Sequence, residues 1–231
     1  MFHKTYTKIN TLYKRYREGD LKNCIILGDY SDKETEYLKD NLWLCFEKID
    51  GTNMSYYWDG HNREIHGKSE TAQIPPHLQK KMEELVTPEM LAEVFPIKYD
   101  EDGNELPMNI RIYGEGYGSK IQKGGGRYIS NDTDFIVFDI NIDGWWLTTD
   151  AVSEIAEKLG LKTVPFVGEM TITEAEEYVK KGFISAVSED RTYKAEGLVC
   201  RPKVPLFNRR GERIIVKIKT CDYEQLNKKL K

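Results

Sequence analysis

Lys48 is the residue whose setting in the sequence most clearly suggests chemistry. It ends an apolar run that begins at Trp43, and Asp50, Gly51 and Asn53 follow almost at once. A lysine at the end of a buried strand is costly unless an anion or a function compensates for its charge. The alternative is an ordinary hairpin turn, in which Asp50 and Gly51 make the bend and Lys48 points to water.

The C-terminal part of the chain favours a functional interpretation. Glu196 stands directly before a short apolar strand, and Lys217 and Lys219 stand in the strand-like run that comes next. Residues at i and i+2 of a strand lie on one face. Two like charges side by side repel each other unless an anion joins them. A phosphate group is the obvious candidate for that anion.

Five segments together resemble the ordered motifs of the covalent nucleotidyltransferases, which include ATP-dependent RNA and DNA ligases and capping enzymes. They are Lys48-Ile49-Asp50-Gly51-Thr52-Asn53 (KxDGxx), Tyr113-Gly114-Glu115-Gly116, the strand Asp134–Ile140, Glu196-Gly197-Leu198-Val199 (EGxV) and Lys217-Ile218-Lys219 (KxK). Four fixed residues such as those of KxDGxN match by chance about once in 160,000 positions, so five motifs in order exclude coincidence. The resemblance spans residues 43–219.

Within that superfamily, Asn53 and the pair Phe138-Asp139 resemble the bacteriophage RNA ligase 2-like family. Asp50 departs from RNA ligase 2, which has histidine there, and Lys68 stands where the family usually has arginine. The resemblance implies an ATP-dependent RNA ligase that joins 5′-phosphate and 3′-OH ends through lysyl-AMP and adenylated-end intermediates, as in RNA repair. It implies RNA ends as the partner, at nicks in duplex or bridged RNA.

Other functions stay open at this point. A minimal ATP-dependent DNA ligase, or a ligase acting on RNA/DNA hybrids, would carry the same motifs. A capping guanylyltransferase would use GTP in place of ATP. A non-catalytic nucleic-acid-binding relative would be free to lose the lysines and glutamates that this chain retains.

The resemblance also implies roles for individual residues. Lys48 would attack the α-phosphate of ATP, while Lys217 and Lys219 would lower the pKa of its amine and hold the phosphates. Glu196 would hold Mg²⁺ or Mn²⁺, because hard cations prefer carboxylate oxygens. The catalytic set is therefore Lys48, Lys217, Lys219 and Glu196, with Glu196 as the metal ligand.

Binding of ATP and of the reactive RNA end involves a larger set. Glu47 would accept a hydrogen bond from the adenine amino group, and Phe138 would stack on the base, although an ordinary core aromatic is compatible with the same spacing. Asp50 and Asp139 are weaker candidates, since turn and strand-end positions also explain them. The expected binding residues are Glu47, Lys48, Ile49, Asn53, Lys68, Glu115, Phe138, Glu196, Lys217 and Lys219.

Two basic segments could contact nucleic acid. Lys120, Lys123 and Arg127 flank Gly124–Gly126 in a loop, for which a solvated surface loop is an equally good interpretation. Residues 201–231 contain ten lysines and arginines against three acidic residues. Few residues follow Lys219, so we hypothesise that this basic segment partly replaces the further domain that many ligases carry.

The predicted elements indicate an α+β fold. Strands are expected at residues 24–28, 43–49, 54–58, 110–113, 134–140, 197–201 and 214–219, and helices at 76–86, 88–95, 151–159 and 174–181. We expect a nucleotidyltransferase (adenylation) fold of two antiparallel sheets flanked by helices with the ATP site between them. The prediction is a single domain over residues 1–231 without a separate C-terminal domain. Residues 66–69 and 114–118 lack complete phosphate-loop or dinucleotide patterns and are expected to form turns or surface.

Composition limits the class of protein. Of the 231 residues, 39% are hydrophobic and 31% charged, which is typical of a packed globular protein. No apolar run approaches the roughly 20 residues of a membrane helix, and no signal peptide is visible. The four cysteines form no CxxC pair, which favours a reducing, cytoplasmic compartment, including that of a host infected by a phage. The net charge of −4 argues against a general nucleic-acid coat protein, and the oligomeric state, a monomer included, is left open.

Overall fold

The computed structural model describes residues 6–69 and 71–230. Within them the chain divides into two compact units. The first unit consists of Tyr6 and residues 50–164, and the second unit consists of residues 7–49 and 165–230. The chain therefore passes from the second unit to the first between Ile49 and Asp50, just after Lys48, which is the predicted nucleophile.

The described residues form thirteen strands and six helices. The strands are β1 (Asn10–Thr11), β2 (Tyr13–Arg15), β3 (Ile25–Tyr30), β4 (Trp43–Lys48), β5 (Thr52–Trp58), β6 (Arg63–His66), β7 (Ile110–Gly118), β8 (Thr133–Ile142), β9 (Trp145–Trp146), β10 (Lys162–Thr163), β11 (Phe166–Met170), β12 (Gly197–Pro202) and β13 (Val216–Lys219). The helices are α1 (Lys33–Leu38), α2 (Pro76–Leu85), α3 (Pro88–Val94), α4 (Thr149–Lys158), α5 (Ile172–Lys181) and α6 (Thr220–Leu230).

The first unit is a sheet with helices packed on one face. Its strand order is β10-β8-β7-β5-β6, with β9 beside β8, and all pairs are antiparallel except β10 with β8. Met54 and Tyr56 of β5 pack with Leu78 and Met82 of α2 in the core. Because side chains alternate along a strand, Asn53 lies on the face away from those helices.

The second unit is built on the sheet β1-β13-β12-β4-β11, in which only β1 runs parallel to its neighbour. Strands β2 and β3 form a separate antiparallel pair. The core contains Cys45 of β4, Leu198 of β12 and Ile218 of β13, together with residues of α5 and α6. The pleat consequently turns Lys48 and Lys219 to the face of the sheet opposite the core.

The structure confirms the α+β fold and the positions of the predicted strands and helices to within a few residues. Gly160 and Gly182 follow helices α4 and α5 with φ angles of 67° and 75°, the left-handed conformation in which glycine commonly ends a helix. Each large sheet contains one short parallel edge pair, so neither sheet is wholly antiparallel.

One prediction is wrong: residues 114–118 do not form a turn but continue the central strand β7. The glycines there allow close packing, which a turn does not require. A Cβ on Gly114 would lie 2.4 Å from the Ile136 carbonyl oxygen, and one on Gly116 would lie 2.5 Å from Leu78 Cδ2. Glycine at positions 114 and 116 therefore allows neighbouring elements to pack closely against this strand.

None of the helices in the described residues is long and apolar enough to span a membrane. The four cysteines are free thiols, and Cys24, Cys45 and Cys200 are buried in the second unit. Burial and the neighbouring thiol of Cys45 raise the pKa of Cys200 well above its usual value. These three thiols therefore serve as small apolar core residues.

Candidate active site

Three charged side chains from three strand ends meet in the second unit. The Lys48 Nζ donates a hydrogen bond to Glu196 Oε2 at 2.6 Å, and Lys219 Nζ lies 2.8 Å from Glu196 Oε1. The three side chains are 21%, 15% and 27% exposed, so they are shielded but reachable. Lys48 Nζ is also 3.4 Å from the carbonyl oxygen of Ile49, which is itself buried.

Strand register explains why residues so distant in sequence meet. Gly197 pairs with Lys48 on one side and with Lys219 on the other, so the three form one row across β4, β12 and β13. The φ angle of Gly197 is 150°, and a Cβ there would lie 2.0 Å from the Ile218 carbonyl oxygen. Only glycine fits this position, and it places Glu196 at the entrance to the row.

Glu196 is the anion that joins the lysines in this structure. Burial would lower the pKa of Lys219, but the hydrogen bond and the charge of Glu196 raise it, and the net shift is upward. Lys219 therefore stays cationic at neutral pH. Lys217 precedes it by two residues on the same face of β13, in register with Val199 and Thr11. Glu196 therefore neutralises Lys48 and Lys219 in this structure, and a phosphate that joins Lys217 and Lys219 stays a prediction.

Glu47 lies on the opposite side of β4 from Lys48 and is only 2% exposed. Its carboxylate accepts hydrogen bonds from the Ser185 hydroxyl and from the backbone N–H of Ala186, the latter at 2.8 Å. Burial raises the pKa of Glu47, although these two hydrogen bonds act in the other direction. Ser185 and Ala186 were not identified from the sequence, since they lie in an irregular loop without a recognisable pattern.

In the first unit, Asn53 and Glu115 are direct cross-strand neighbours of β5 and β7. Both are partly exposed, and directly opposite residues project to the same face of a sheet. Lys68 is exposed in the turn after β6, and its neighbour Gly67 packs tightly, since a Cβ there would lie 2.8 Å from Ala72 Cβ. Of residues 66–69, which were expected to form a turn or surface, His66 ends strand β6, and residues 67–69 lie outside the strands with Lys68 and Ser69 exposed.

Phe138 lies in β8, at an irregularity in the pairing with β7, and is partly exposed. The Tyr6 ring contacts the Phe138 ring edge-on, with centroids 4.9 Å apart. The Tyr6 hydroxyl donates to Asp139 Oδ2 at 2.5 Å, and Asp139 is buried. Sequence reasoning missed Tyr6, because a lone tyrosine in a polar N-terminal stretch carries no periodic pattern.

The chain bends at Asp50 and Gly51 between β4 and β5, but these strands belong to different sheets, so the alternative of an ordinary hairpin turn is wrong. The Asp50 backbone N–H donates to the Tyr128 hydroxyl oxygen at 3.1 Å. A Cβ on Gly51 would lie 2.2 Å from the Gly116 carbonyl oxygen, so glycine is required where this bend packs on β7. The bend is therefore held in place by contacts within the first unit.

The residues present fit a divalent cation only if other ligands complete its shell. Within residues 6–69 and 71–230, no group of three histidine, cysteine, aspartate or glutamate side chains could hold a metal ion. Glu196 offers one partly exposed carboxylate. Mg²⁺ is commonly bound by one or two carboxylates together with substrate phosphates and water. A single carboxylate is consistent with a cation of that kind.

Comparison with known proteins gives a family and a fold. The family model described as RNA ligase matches residues 41–219, which is most of the chain. A search of curated protein sequences finds no match. Among solved structures, an RNA ligase of Naegleria gruberi aligns in several forms at TM-scores near 0.6.

A lysine-to-alanine variant of that ligase with ATP and Mn aligns with a TM-score of 0.62, 18% identity and coverage of 85% of this chain and 54% of that chain. A lysine-to-methionine variant with AMP and Mn aligns with a TM-score of 0.61 and 18% identity, covering 85% of this chain and 55% of that chain. The form with PPi aligns with a TM-score of 0.58 and 18% identity, covering 84% of this chain and 54% of that chain. The chain thus spans about half the length of these ligases, and at this identity the likeness concerns the fold. The match of the family model to residues 41–219 shows that the chain belongs to the RNA ligase family.

Proposed function

We propose that this protein is an ATP-dependent RNA ligase that joins a 5′-phosphate to a 3′-OH through a lysyl-AMP intermediate. The observation that carries the proposal is the pairing of Glu196 with both Lys48 and Lys219 at the row of strand ends. A lysine nucleophile, an acidic group and a second cation that stays charged are the groups that transfer of a nucleotidyl group requires. The proposed cofactors are ATP and a divalent cation, Mg²⁺ or Mn²⁺.

In the first step, the deprotonated amine of Lys48 attacks the α-phosphorus of ATP, an N–P bond forms and pyrophosphate leaves. The ion pair with Glu196 must open before this attack, because an ammonium group has no lone pair to donate. Lys219 keeps a positive charge and so can stabilise the charge that develops on the transferred phosphate. Lys217, two residues away on the same face, is proposed to act with it.

In the next two steps, an oxygen of the RNA 5′-phosphate attacks the lysyl-AMP phosphorus and releases the Lys48 amine. The 3′-hydroxyl then attacks the phosphorus of the RNA end, and AMP leaves as the phosphodiester forms. Glu196 would hold the divalent cation, which neutralises charge on the phosphates when bound. The Lys48–Glu196 pair would therefore be exchanged for contacts to substrate.

The remaining predicted residues are proposed to bind nucleotide and RNA. Asn53 and Glu115 project from one face of the first unit's sheet, as polar groups that contact a ribose or an RNA end would. Phe138 is proposed to stack on the base, and Lys68 to contact phosphate. Glu47 is proposed to accept a hydrogen bond from the adenine amino group, for which its buried carboxylate, now bonded to Ser185 and Ala186, would have to become accessible.

A sealing assay with a matched control tests the proposal. The full chain is incubated with Mg²⁺, ATP and an RNA duplex that carries a nick with a labelled 5′-phosphate. We expect a joined strand with the wild type and none with Lys48→Ala. Lys22→Ala, which removes an exposed lysine far from the row in sequence, should seal normally.

The same assay separates the alternatives. Joining of a nicked DNA duplex but not of RNA would make the protein a DNA ligase. Use of GTP with transfer of GMP would indicate a capping-type enzyme. RNA binding without any nucleotidyl transfer would indicate a non-catalytic relative and contradict the proposal.

A further inference from the structure

The segment between β7 and β8, residues 119–132, presents positive charge to solvent, and we call it the basic loop. Lys120, Lys123 and Arg127 are all exposed. Lys81 pairs with Asp132 at the far end of the basic loop, at 2.6 Å. Within the part of the chain that the structure describes, no ion pair engages Lys120 or Lys123. These two ammonium groups are therefore available to an external anion.

The basic loop is fixed to the bend that follows the nucleophile. Gln122 Nε2 donates to the Gly51 carbonyl oxygen at 3.0 Å, and the Tyr128 hydroxyl oxygen accepts from the Asp50 N–H at 3.1 Å. Tyr128 is fully buried, and its ring packs edge-on against Tyr117 at 5.7 Å. The loop is thus anchored at two points, and both anchors are on the two residues that begin the bend.

The internal structure of the basic loop is compact as well. The Gly125 N–H bonds to the Gln122 carbonyl and the Tyr128 N–H to the Gly125 carbonyl, both at 2.9 Å. A Cβ on Gly125 would lie 2.1 Å from the Gly118 carbonyl oxygen, so the loop folds directly onto the end of β7. A loop held in this way can present its cations in a defined arrangement.

Lys120 has a φ angle of +62°, in the left-handed region that glycine adopts far more readily. A turn closed by the Ile121 N–H and the Gly118 carbonyl oxygen at 3.3 Å places Lys120 at the third position, where positive φ occurs, and the exposed side chain makes no ion pair among the described residues. Strained residues of this kind concentrate at ligand-binding positions. The conformation therefore supports a binding role for the Lys120 side chain.

We propose that the basic loop binds the phosphodiester backbone of the RNA next to the ends that are joined, with Lys120 and Lys123 as the phosphate contacts. This inference rests on the proposed ligase function. Contacts of lysine to backbone phosphates are independent of base sequence and supply much of the affinity for nucleic acid. The loop is attached to the Asp50–Gly51 bend, which follows Lys48 by two residues in the chain.

The test uses the full chain with Lys120→Gly and Lys123→Gln combined. Glycine suits the φ angle at position 120, so this variant loses two charges without new backbone strain. The matched control is Arg17→Gln with Lys22→Gln, which removes two charges from an exposed segment to which no binding role is assigned. Binding of a nicked RNA duplex is measured by fluorescence anisotropy across a salt series, alongside sealing and the rate of self-adenylylation at limiting ATP.

We expect the slope of log K against log salt to become shallower by about 1 for each lysine lost. Affinity at low salt and sealing at limiting RNA should fall about tenfold or more, while self-adenylylation and the control variant stay as in the wild type. An unchanged slope would overturn the inference, as would an equal effect of the control variant. Self-adenylylation slowed as much as sealing would show that the loop binds ATP phosphates instead, and wild type that seals no RNA would refute the proposed function itself.

Discussion

Ending the chain at Lys219 should unfold the second unit, because helix α6 completes its core. Tyr223 and Leu226 of α6 are only 7% and 6% exposed. Asp222 of the same helix forms a two-point ion pair with Arg15 of β2, with both oxygens 2.8 Å from Nη2. Loss of each large buried side chain costs about 2–5 kcal/mol. Loss of these two side chains therefore removes about 4–10 kcal/mol from a total stability that is typically about 5–15 kcal/mol.

A fluorescence assay can follow the second unit alone. Trp43 is its tryptophan and is fully buried, whereas Trp58, Trp145 and Trp146 belong to the first unit. A background in which those three are phenylalanine leaves Trp43 as the reporter during urea denaturation. We expect the truncated protein to show an unfolded Trp43 signal without urea. A wild-type urea midpoint after truncation would refute the assignment of α6 to the core.

The role of α6 in the core also determines how to test the hypothesis that the basic segment of residues 201–231 binds RNA. Deleting residues after Lys219 would remove core residues together with charge, so loss of sealing would be uninformative. Lys228→Gln removes charge from an exposed position of α6 and leaves Tyr223 and Leu226 in place. Unchanged RNA affinity in that variant would argue against a contribution of this lysine.

Three further variants probe the packing around the predicted site. Gly197→Ala should destabilise the protein by about 2 kcal/mol or more, since its Cβ would lie 2.0 Å from the Ile218 carbonyl oxygen. Calorimetry should then show a melting temperature about 4–8 °C lower than that of the wild type. An unchanged melting temperature would contradict the strand register. Burial raises the pKa of Glu47 above 4.5, so its contribution to stability is full below pH 4.5 and is lost as the pH rises through the folded pKa. Glu47→Gln should accordingly gain stability relative to wild type between pH 4.5 and neutral pH in urea titrations, and a constant difference would be inconsistent with that shift. Tyr6→Phe should cost about 1–3 kcal/mol, because buried Asp139 loses a hydrogen-bond donor, and an unaltered urea midpoint would show that the hydroxyl contributes nothing.

Sequence could predict the parts of the site that depend on spacing along strands. Lys217 and Lys219 share a face because strand residues alternate, and the Asp50–Gly51 bend follows from residue type. The resemblance to nucleotidyltransferases selected Glu196, and strand register then brought it to both Lys48 and Lys219. The sequence could not predict that the Glu196 carboxylate pairs with both lysines. This pairing depends on the register between three strands, and no single segment of the sequence determines that register.

Other features depend on tertiary contacts that leave no local pattern. Ser185 and Ala186 reach Glu47 from an irregular loop, and Tyr6 reaches Asp139 from far along the chain. Residues 114–118 look like a turn because glycine favours turns, yet close packing against Leu78 and Ile136 requires glycine within a strand. That residues 1–231 act as one catalytic domain stays a prediction.

Intact-mass spectrometry tests the central claim most directly. The protein is treated with pyrophosphate to remove any bound AMP, then incubated with Mg²⁺ and ATP, with GTP and Lys48→Ala in parallel. The account predicts a gain of one AMP with ATP, located on Lys48 by peptide mapping and absent from the variant. No gain with either nucleotide, or an equal gain in Lys48→Ala, would contradict the assignment of Lys48 as the nucleophile.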